Sequence, residues 1–176
     1  NFDNTLGVIY IVRDPRNVVT SFSKFKSLTV EKVADFMING TGDGLVWTNN
    51  WSVNYQSWKL FKEYERYLLV KYEDLISKPD KTFLNILEFI HKLNKTNFEL
   101  DKKKFENVIK TTSFDNMQNL EKEKGFSESW VDEKTGKKIP FFYLGPKNDW
   151  RNKLDTQIVE KLEKAFKSEM EELGYI

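Results

Sequence analysis

The stretch "VIYIVRDPRNVVTSF" (residues 8–22) contains a strand, a turn and the start of a helix in direct succession. Its first five residues are apolar and mostly β-branched, which is typical of a strand buried on both faces of a parallel sheet. Asp14 then occupies a preferred N-cap position, and Pro15 takes the first helical position, where a missing N–H costs nothing. The sequence therefore predicts a strand over 7–12 and a helix over 15–26.

Arg13 stands between this strand and this helix, and two explanations of its position stay open. In the first, it pairs with Asp14 or with a neighbouring helix end in an ordinary connection. In the second, it binds an anion, because ligands of open α/β sheets bind at the carboxyl ends of parallel strands and near helix N-termini.

Composition limits the possible classes of function. The 176 residues are 39% hydrophobic and 31% charged, which predicts a single globular domain over 1–176. A net charge of +1 gives no reason to expect nucleic acid or an anionic membrane as a partner. There is no Cys and one His, His91, so Cys-ligated and multi-His metal sites are excluded. We therefore expect no metal, no membrane span and a cytoplasmic location.

The remaining patterns predict an α/β fold with a parallel sheet flanked by helices and a high helix content. A second apolar strand, Tyr67–Val70, implies a parallel crossover from the first. Helical spacing follows at 51–64, 79–93, 102–110 and 114–124, and a last helix covers 154–174. We expect a loop at 38–47 and a short ribbon or long loop at 126–145. The helix over 15–26 is expected to bury Val18, Phe22 and Phe25.

Several polar and aromatic residues follow these elements in a fixed order. Ser21 lies eight residues after Arg13, and Tyr72 begins "YED" after the second strand. The segments "TTSFDNM" and "GPKNDWRN" contribute the other candidates, which are Ser113, Phe114, Met117, Gly145, Lys147 and Arg151. Taken alone, Phe114 and Met117 also fit a core stripe at helical spacing.

In this order and spacing the chain resembles the sulfotransferases that use 3′-phosphoadenosine 5′-phosphosulfate (PAPS), and the cytosolic type more than the Golgi type. The resemblance runs from residue 8 to about 160 and implies a three-layer, P-loop-like fold, of which this chain is the C-terminal two-thirds. It also implies that Arg13 and Ser21 hold the 3′-phosphate, and that Tyr72, Ser113, Phe114 and Met117 lie on the nucleotide. A guanidinium and a hydroxyl suit a dianionic phosphate, and flat or soft side chains suit adenine.

Two departures qualify this resemblance. Tyr143 and Leu144 stand where the family has an Arg-Lys pair on the 3′-phosphate, so we expect Lys147 or Arg151 to supply charge from the Gly145 loop. The phosphosulfate-binding loop and the general-base His of the family lie upstream of Arg13 and are not matched here. His91 is on the wrong element to replace that base and is interpreted as structural. The 176 residues alone are therefore expected to be inactive and to need a missing N-terminal segment of the same protein.

The resemblance thus implies a PAPS-dependent enzyme that sulfates a hydroxyl or amine of a small-molecule acceptor. This segment would supply the site for the nucleotide product, 3′-phosphoadenosine 5′-phosphate (PAP). Two alternatives stay open: a truncated, non-catalytic PAP-binding module, and another P-loop transferase such as a nucleotide kinase. The acceptor, whose pocket we expect in the loops 36–50 and 126–143, and the oligomeric state are not readable from the sequence.

Overall fold

A computed structural model describes residues 2–40, 50–132 and 135–176. The helices are α1 (Pro15–Lys26), α2 (Val30–Asn39), α3 (Trp51–Lys59), α4 (Tyr72–Ser77), α5 (Pro79–Asn94), α6 (Lys102–Thr111), α7 (Phe114–Lys124), α8 (Thr156–Ala165) and α9 (Lys167–Glu172). The strands are β1 (Val8–Val12), β2 (Tyr67–Lys71), β3 (Trp130–Val131) and β4 (Lys138–Ile139). Short 3-10 helices lie at Phe2–Asn4, Leu60–Tyr64, Gly145–Lys147 and Trp150–Asn152.

The chain forms two compact units. Unit 1 comprises Asn1–Arg13 and Asn54–Thr111, and unit 2 comprises Asp14–Val53 and Thr112–Ile176.

Unit 1 is built on a parallel pair of strands. β1 and β2 pair in register from Val8 opposite Tyr67 to Val12 opposite Lys71. Val12 and Val70 are both buried, and the register places them on opposite faces of this pair. The predicted burial of β1 on both faces is not seen, because Ile9 and Ile11 are exposed. The predicted parallel crossover is confirmed. Two helices were not predicted, α2 in unit 2 and α4 in unit 1. α4 begins at Tyr72 without any loop after β2, so "YED" forms the first turn of a helix.

α5 adds an apolar stripe to unit 1, in addition to the buried Tyr55 and Phe61. Phe83, Ile86 and Leu87 are half-buried, and Ile90 is exposed. His91, near the end of this helix, has its Nδ1 2.8 Å from the hydroxyl oxygen of Thr96. Its ring lies 5.1 Å from that of Phe98. These local contacts fit the interpretation of His91 as a structural residue.

Unit 2 has its core between α1, α2, α8 and α9. Asp14 caps α1, since its carboxylate accepts a hydrogen bond of 2.9 Å from the backbone N–H of Arg16. The helix has the predicted bounds, but the residues predicted to be buried are only partly covered. Val19 is fully buried, whereas Val18, Phe22 and Phe25 are half-buried. The helices that pack against α1 are α2 and α8.

The C-terminal region differs from the single helix predicted over 154–174. Phe166 leaves helical geometry, with φ −117° and ψ 20°, and separates α8 from α9. Its buried ring lies 5.1 Å from that of Trp51. The predicted inward set is nevertheless confirmed, since the following residues are all buried: Ile158, Leu162, Phe166, Met170 and Leu173.

The region 126–145 contains the ribbon that its turn residues predict. β3 and β4 pair antiparallel, with Trp130 opposite Ile139. Gly136, with φ +64°, lies in the connection between them. The predicted loop over 38–47 falls mostly outside the described residues, because 41–49 are not among them.

Candidate functional site

The carboxyl ends of β1 and β2 bring Arg13 and Tyr72 together in unit 1. Each residue follows its strand by one position, and the last residues of the strands, Val12 and Lys71, are register partners. The guanidinium carbon of Arg13 consequently lies 4.1 Å from the centroid of the Tyr72 ring, at cation–π distance.

The Tyr72 hydroxyl is partly buried, and this burial raises its pKa. The positive charge of Arg13 acts in the opposite direction, and the negative charge of Glu73 raises the pKa further. Tyr72 is therefore a neutral ring at physiological pH. It can present an aromatic face and a hydroxyl, but it is not a base.

Asp14 is bound to Arg16, a contact that the sequence analysis missed. Arg16 is 4% exposed, and its Nη2 lies 2.7 Å from Asp14 Oδ2. The same guanidinium donates to a carboxylate oxygen of Glu163 at 2.5 Å and to the carbonyl of Tyr175 at 2.9 Å. Burial alone would lower the pKa of Arg16, but the hydrogen bonds and charges of Asp14 and Glu163 outweigh it and raise the pKa. This network fixes the start of α1.

The segment that follows Gly145 is fixed along α1. The side-chain amide of Asn148 donates to the carbonyl of Asn17 at 2.9 Å and to the Thr20 hydroxyl at 2.8 Å. The backbone N–H of Trp150 donates to Asn17 Oδ1 at 3.0 Å. The Trp150 ring also stacks on Arg16, 4.1 Å from its guanidinium carbon. Helix α1 and the 145–152 segment therefore form one rigid part of unit 2.

Gly145 and Phe114 lie in close contact. Gly145 has φ +48°, and a Cβ at this position would lie 2.2 Å from Cε2 of the Phe114 ring. Phe114 opens α7, whose N-cap is Ser113, and is half-buried, as is Met117 one turn later. The ring of Phe142 meets Phe114 edge-on, with centroids 6.1 Å apart. The structure thus brings three predicted residues, Ser113, Phe114 and Gly145, to one place.

Three other predicted residues of unit 2 are not joined to one another by polar contacts. Ser21, Lys147 and Arg151 are exposed, and in the part of the chain that the structure describes no hydrogen bond or ion pair joins any two of them. Arg151 Nη1 lies 3.3 Å from Asp149 Oδ1, and its guanidinium carbon is 4.7 Å from the Trp150 ring.

Glu121 is a buried carboxylate that the sequence analysis also missed. It accepts hydrogen bonds from the Ser129 hydroxyl at 2.6 Å and from the backbone N–H groups of Phe141 at 2.8 Å and Phe142 at 2.9 Å. Burial alone would raise its pKa, but these hydrogen bonds and the charge of Lys138 hold the pKa below its ordinary value. Glu121 therefore ties the backbone before Gly145 to α7.

Gln118 supports the same segment one turn earlier on α7. Its side-chain amide donates to the carbonyls of Phe142 at 2.8 Å and Tyr143 at 3.1 Å. A polar residue in a polar helix gives no local sign of such a contact, so no sequence pattern distinguishes Gln118 or Glu121 from their exposed neighbours.

The described residues include no cluster of His, Cys, Asp and Glu suited to a metal ion. Among them, no helix has both the length and the hydrophobicity needed to cross a membrane.

The family model of the sulfotransferase domain matches residues 1–174, and the chain therefore belongs to the sulfotransferase family. Its relatives include human sulfotransferase 2A1, with 25% identity over 98% of this chain and 59% of the relative. Rat sulfotransferase 2A2 is 26% identical over 96% of this chain and 58% of its own length. A flavonol 3-sulfotransferase from Flaveria bidentis is 26% identical over 96% and 56%, respectively. The chain thus spans a little under three-fifths of these relatives.

Solved structures show the same fold. A mouse sulfotransferase complexed with PAP superposes with a TM-score of 0.66 at 19% identity, covering 93% of this chain and 58% of the mouse chain. Retinol dehydratase in complex with androsterone and inactive cofactor PAP gives a TM-score of 0.65 at 17% identity, covering 93% of this chain and 47% of the other. The predicted fold class, a P-loop-like α/β fold with a parallel sheet and many helices, is confirmed.

Proposed function

We propose that the protein is a PAPS-dependent sulfotransferase that transfers a sulfuryl group to a hydroxyl or amine of a small-molecule acceptor. In this proposal, residues 1–176 are the C-terminal portion of one sulfotransferase-like domain and hold the 3′-phosphoadenosine part of the cofactor. The observation that carries the proposal is the Arg13–Tyr72 pair at the carboxyl ends of two parallel strands. This is the edge at which open α/β sheets bind their ligands.

The chemistry of the candidate residues fits an adenosine with a 3′-phosphate. Arg13 offers N–H donors in a planar arrangement that matches phosphate oxygens, and Ser21 adds a hydroxyl. Phe114 and Met117 offer a ring and a thioether to an adenine base. The residues proposed to hold the cofactor are Arg13, Ser21, Tyr72, Ser113, Phe114, Met117, Gly145, Lys147 and Arg151. The bound cofactor supplies an activated sulfuryl group whose leaving group is a phosphate.

The residues of this chain would bind and orient the cofactor. The stack on Tyr72 limits the rotation of the Arg13 side chain, so less conformational entropy is lost when a phosphate binds. The close approach of Gly145 to Phe114 fixes the ring that would face adenine. No residue of the described chain is proposed as the general base. His91, near the end of α5, is occupied by contacts with Thr96 and Phe98, which follow that helix.

We propose that the base and the phosphosulfate-binding loop belong to an N-terminal segment of the same protein. The surface of unit 1 supports this proposal. Ile11 is 57% exposed and Leu6 is 56% exposed, although parallel strands are normally covered on both faces. The chain also spans under three-fifths of its relatives. A segment that covers β1 would bury these side chains, and we expect the isolated 176 residues to be inactive without it.

We further propose a cytoplasmic location, since a chain without Cys is compatible with a reducing compartment.

A ligand panel tests the proposed class. Isothermal titration calorimetry of the protein with PAP, AMP, and ATP with Mg²⁺ should show PAP binding at least about tenfold more tightly than AMP, because a dianionic group is added to the ligand. Mg²⁺-dependent binding of ATP with no preference for a 3′-phosphate would instead support a nucleotide kinase. PAP binding without sulfuryl transfer, in the protein that includes its upstream segment, would support a non-catalytic binding module.

A further inference from the structure

Lys24 and Tyr143 contact each other in unit 2. The Lys24 ammonium nitrogen lies 5.3 Å from the centroid of the Tyr143 ring, within cation–π range. Tyr143 is 44% exposed, and its carbonyl accepts a hydrogen bond from Gln118. The backbone that carries the ring is therefore fixed to α7, and the ring marks one defined position for the Lys24 side chain.

The 3′-phosphate proposed to bind beside Ser21 needs a positively charged partner in unit 2. Ser21 is neutral, and a dianionic phosphate beside it requires a cation. Arg151, one candidate, already contacts the carboxylate of Asp149 and the ring of Trp150. Lys147, the other, lies in the 3-10 turn that follows Tyr143 and Leu144.

Lys24 lies on the same helix as Ser21, three residues further along α1. Side chains at this spacing are neighbours, with their Cβ atoms about 5–6 Å apart. Both residues are exposed, so they form one solvent-facing pair of a hydroxyl and an ammonium. The Tyr143 ring is adjacent to this pair through its contact with Lys24.

We propose that Lys24 is a phosphate-binding residue, positioned by Tyr143 so that its ammonium and the Ser21 hydroxyl bind the 3′-phosphate together. Tyr143 thus provides no charge of its own but holds a cation contributed by α1. This inference rests on the proposed function, because it assigns a further residue to the same nucleotide site.

A basic residue near a helix C-terminus also has a purely structural explanation, since it interacts favourably with the helix dipole. Lys26 provides the matched control. It lies in the same last turn of α1, and its ammonium is 3.8 Å from the Trp130 ring. If Lys24 only interacted with the helix dipole or with an aromatic ring, replacing Lys24 and replacing Lys26 would have the same effect on PAP binding.

The test compares the dissociation constants for PAP and AMP in the wild type, Lys24→Met, Lys24→Arg and Lys26→Met. Lys24→Met should weaken PAP binding about tenfold and leave AMP binding unchanged, because only PAP carries the 3′-phosphate. Lys24→Arg and Lys26→Met should keep the wild-type preference. Thermal melts of each variant check that the fold is retained.

Adding Tyr143→Arg to Lys24→Met should restore the preference, because the cation then comes from the loop. Suppose that the wild type prefers PAP and that Lys24→Met keeps this preference within about twofold. This result would overturn the role of Lys24 but would not contradict the proposed function. A wild type with no preference for PAP would overturn the proposed function, and the role of Lys24 with it.

Discussion

Gly145 and Phe114 are packed so closely that any β-carbon on residue 145 would lie 2.2 Å from the Phe114 ring. The backbone at Gly145 has φ +48°, a region that L side chains rarely adopt. The turn at Gly145 therefore packs directly against the Phe114 ring, and a change in one is expected to displace the other.

Gly145→Ala should destabilise the protein by about 2–3 kcal/mol, because strain in the backbone adds to a clash with an aromatic ring. It should also weaken adenine nucleotide binding by moving Phe114. Gly136→Ala is the matched control: Gly136 also has positive φ, but nothing lies within 4 Å of the position of its Cβ. It should cost only about 1 kcal/mol and leave nucleotide binding unchanged, as measured by urea unfolding and calorimetry. Equal effects of the two changes would contradict the role given to the Phe114 contact.

Glu121→Gln should destabilise the protein by about 2 kcal/mol at neutral pH, since an amide group would replace a carboxylate oxygen that accepts a backbone N–H. The pKa of Glu121 is lowered in the folded state. Its contribution is therefore present above the ordinary pKa of 4.5 and is lost as pH falls through the folded-state pKa. The difference in free energy of unfolding between the wild type and Glu121→Gln should therefore become smaller at acid pH.

Denaturant unfolding across this pH range measures the effect. Glu123→Gln, an exposed change on the same helix, is the control and should stay within about 0.5 kcal/mol of wild type. A difference for Glu121→Gln that does not change between neutral and acid pH would mean that the carboxylate charge is not what holds the 141–142 backbone.

Arg16→Met should be the most destabilising of these changes, by about 3–5 kcal/mol, because it leaves the carboxylates of Asp14 and Glu163 without their buried cation. Arg151→Met breaks an exposed ion pair instead and should cost less than about 1 kcal/mol. Urea unfolding distinguishes the two outcomes. Similar small costs for both would show that the Arg16 network does not anchor α1.

Tyr10→Phe should cost about 1 kcal/mol at neutral pH, because the Tyr10 hydroxyl donates to Asn54 Oδ1 at 2.8 Å. Burial raises the pKa of Tyr10 to about 12. Its stabilisation is therefore complete below the ordinary pKa of 10.0 and is lost as pH rises toward the folded value. Tyr64→Phe is the exposed control. The loss in free energy of unfolding caused by Tyr10→Phe, relative to that control, should decrease as pH rises between these two pKa values. A Tyr10 that titrates near its ordinary pKa in an absorbance titration would refute this assignment.

The local sequence of residues 8–26 determines much of the fold. A β-branched run, an N-cap at Asp14 and Pro15 at the first helical position are short-range signals, and the strand and helix have nearly the predicted bounds. The most buried apolar residue of α1, Val19, was not predicted, because burial depends on the helices that pack against α1, which are α2 and α8, and not on the sequence of α1 alone. The break at Phe166 likewise accompanies a contact with the distant Trp51.

The candidate site, too, could be predicted from the sequence only where the signals are local. Strand ends and the order of the motifs identify Arg13 and Tyr72, and the parallel register then explains their contact. Glu121 and Arg16 were missed in part because some of their partners are distant in the chain: the Arg16–Glu163 pair spans 147 residues, and the hydrogen bonds from Phe141 and Phe142 to Glu121 span 20 and 21. Hydrogen bonds over such separations leave no periodicity in the sequence.

The central claim is that Arg13 binds the 3′-phosphate of an adenine nucleotide. The most direct measurement is the ratio of the AMP and PAP dissociation constants in Arg13→Ala, with Arg66→Ala as the control cation at the opposite end of β2. Arg13→Ala should lower this ratio at least about tenfold by weakening the binding of PAP alone, and Arg66→Ala should leave the ratio unchanged. An unchanged ratio in Arg13→Ala, in a protein that folds and prefers PAP, would contradict the central claim.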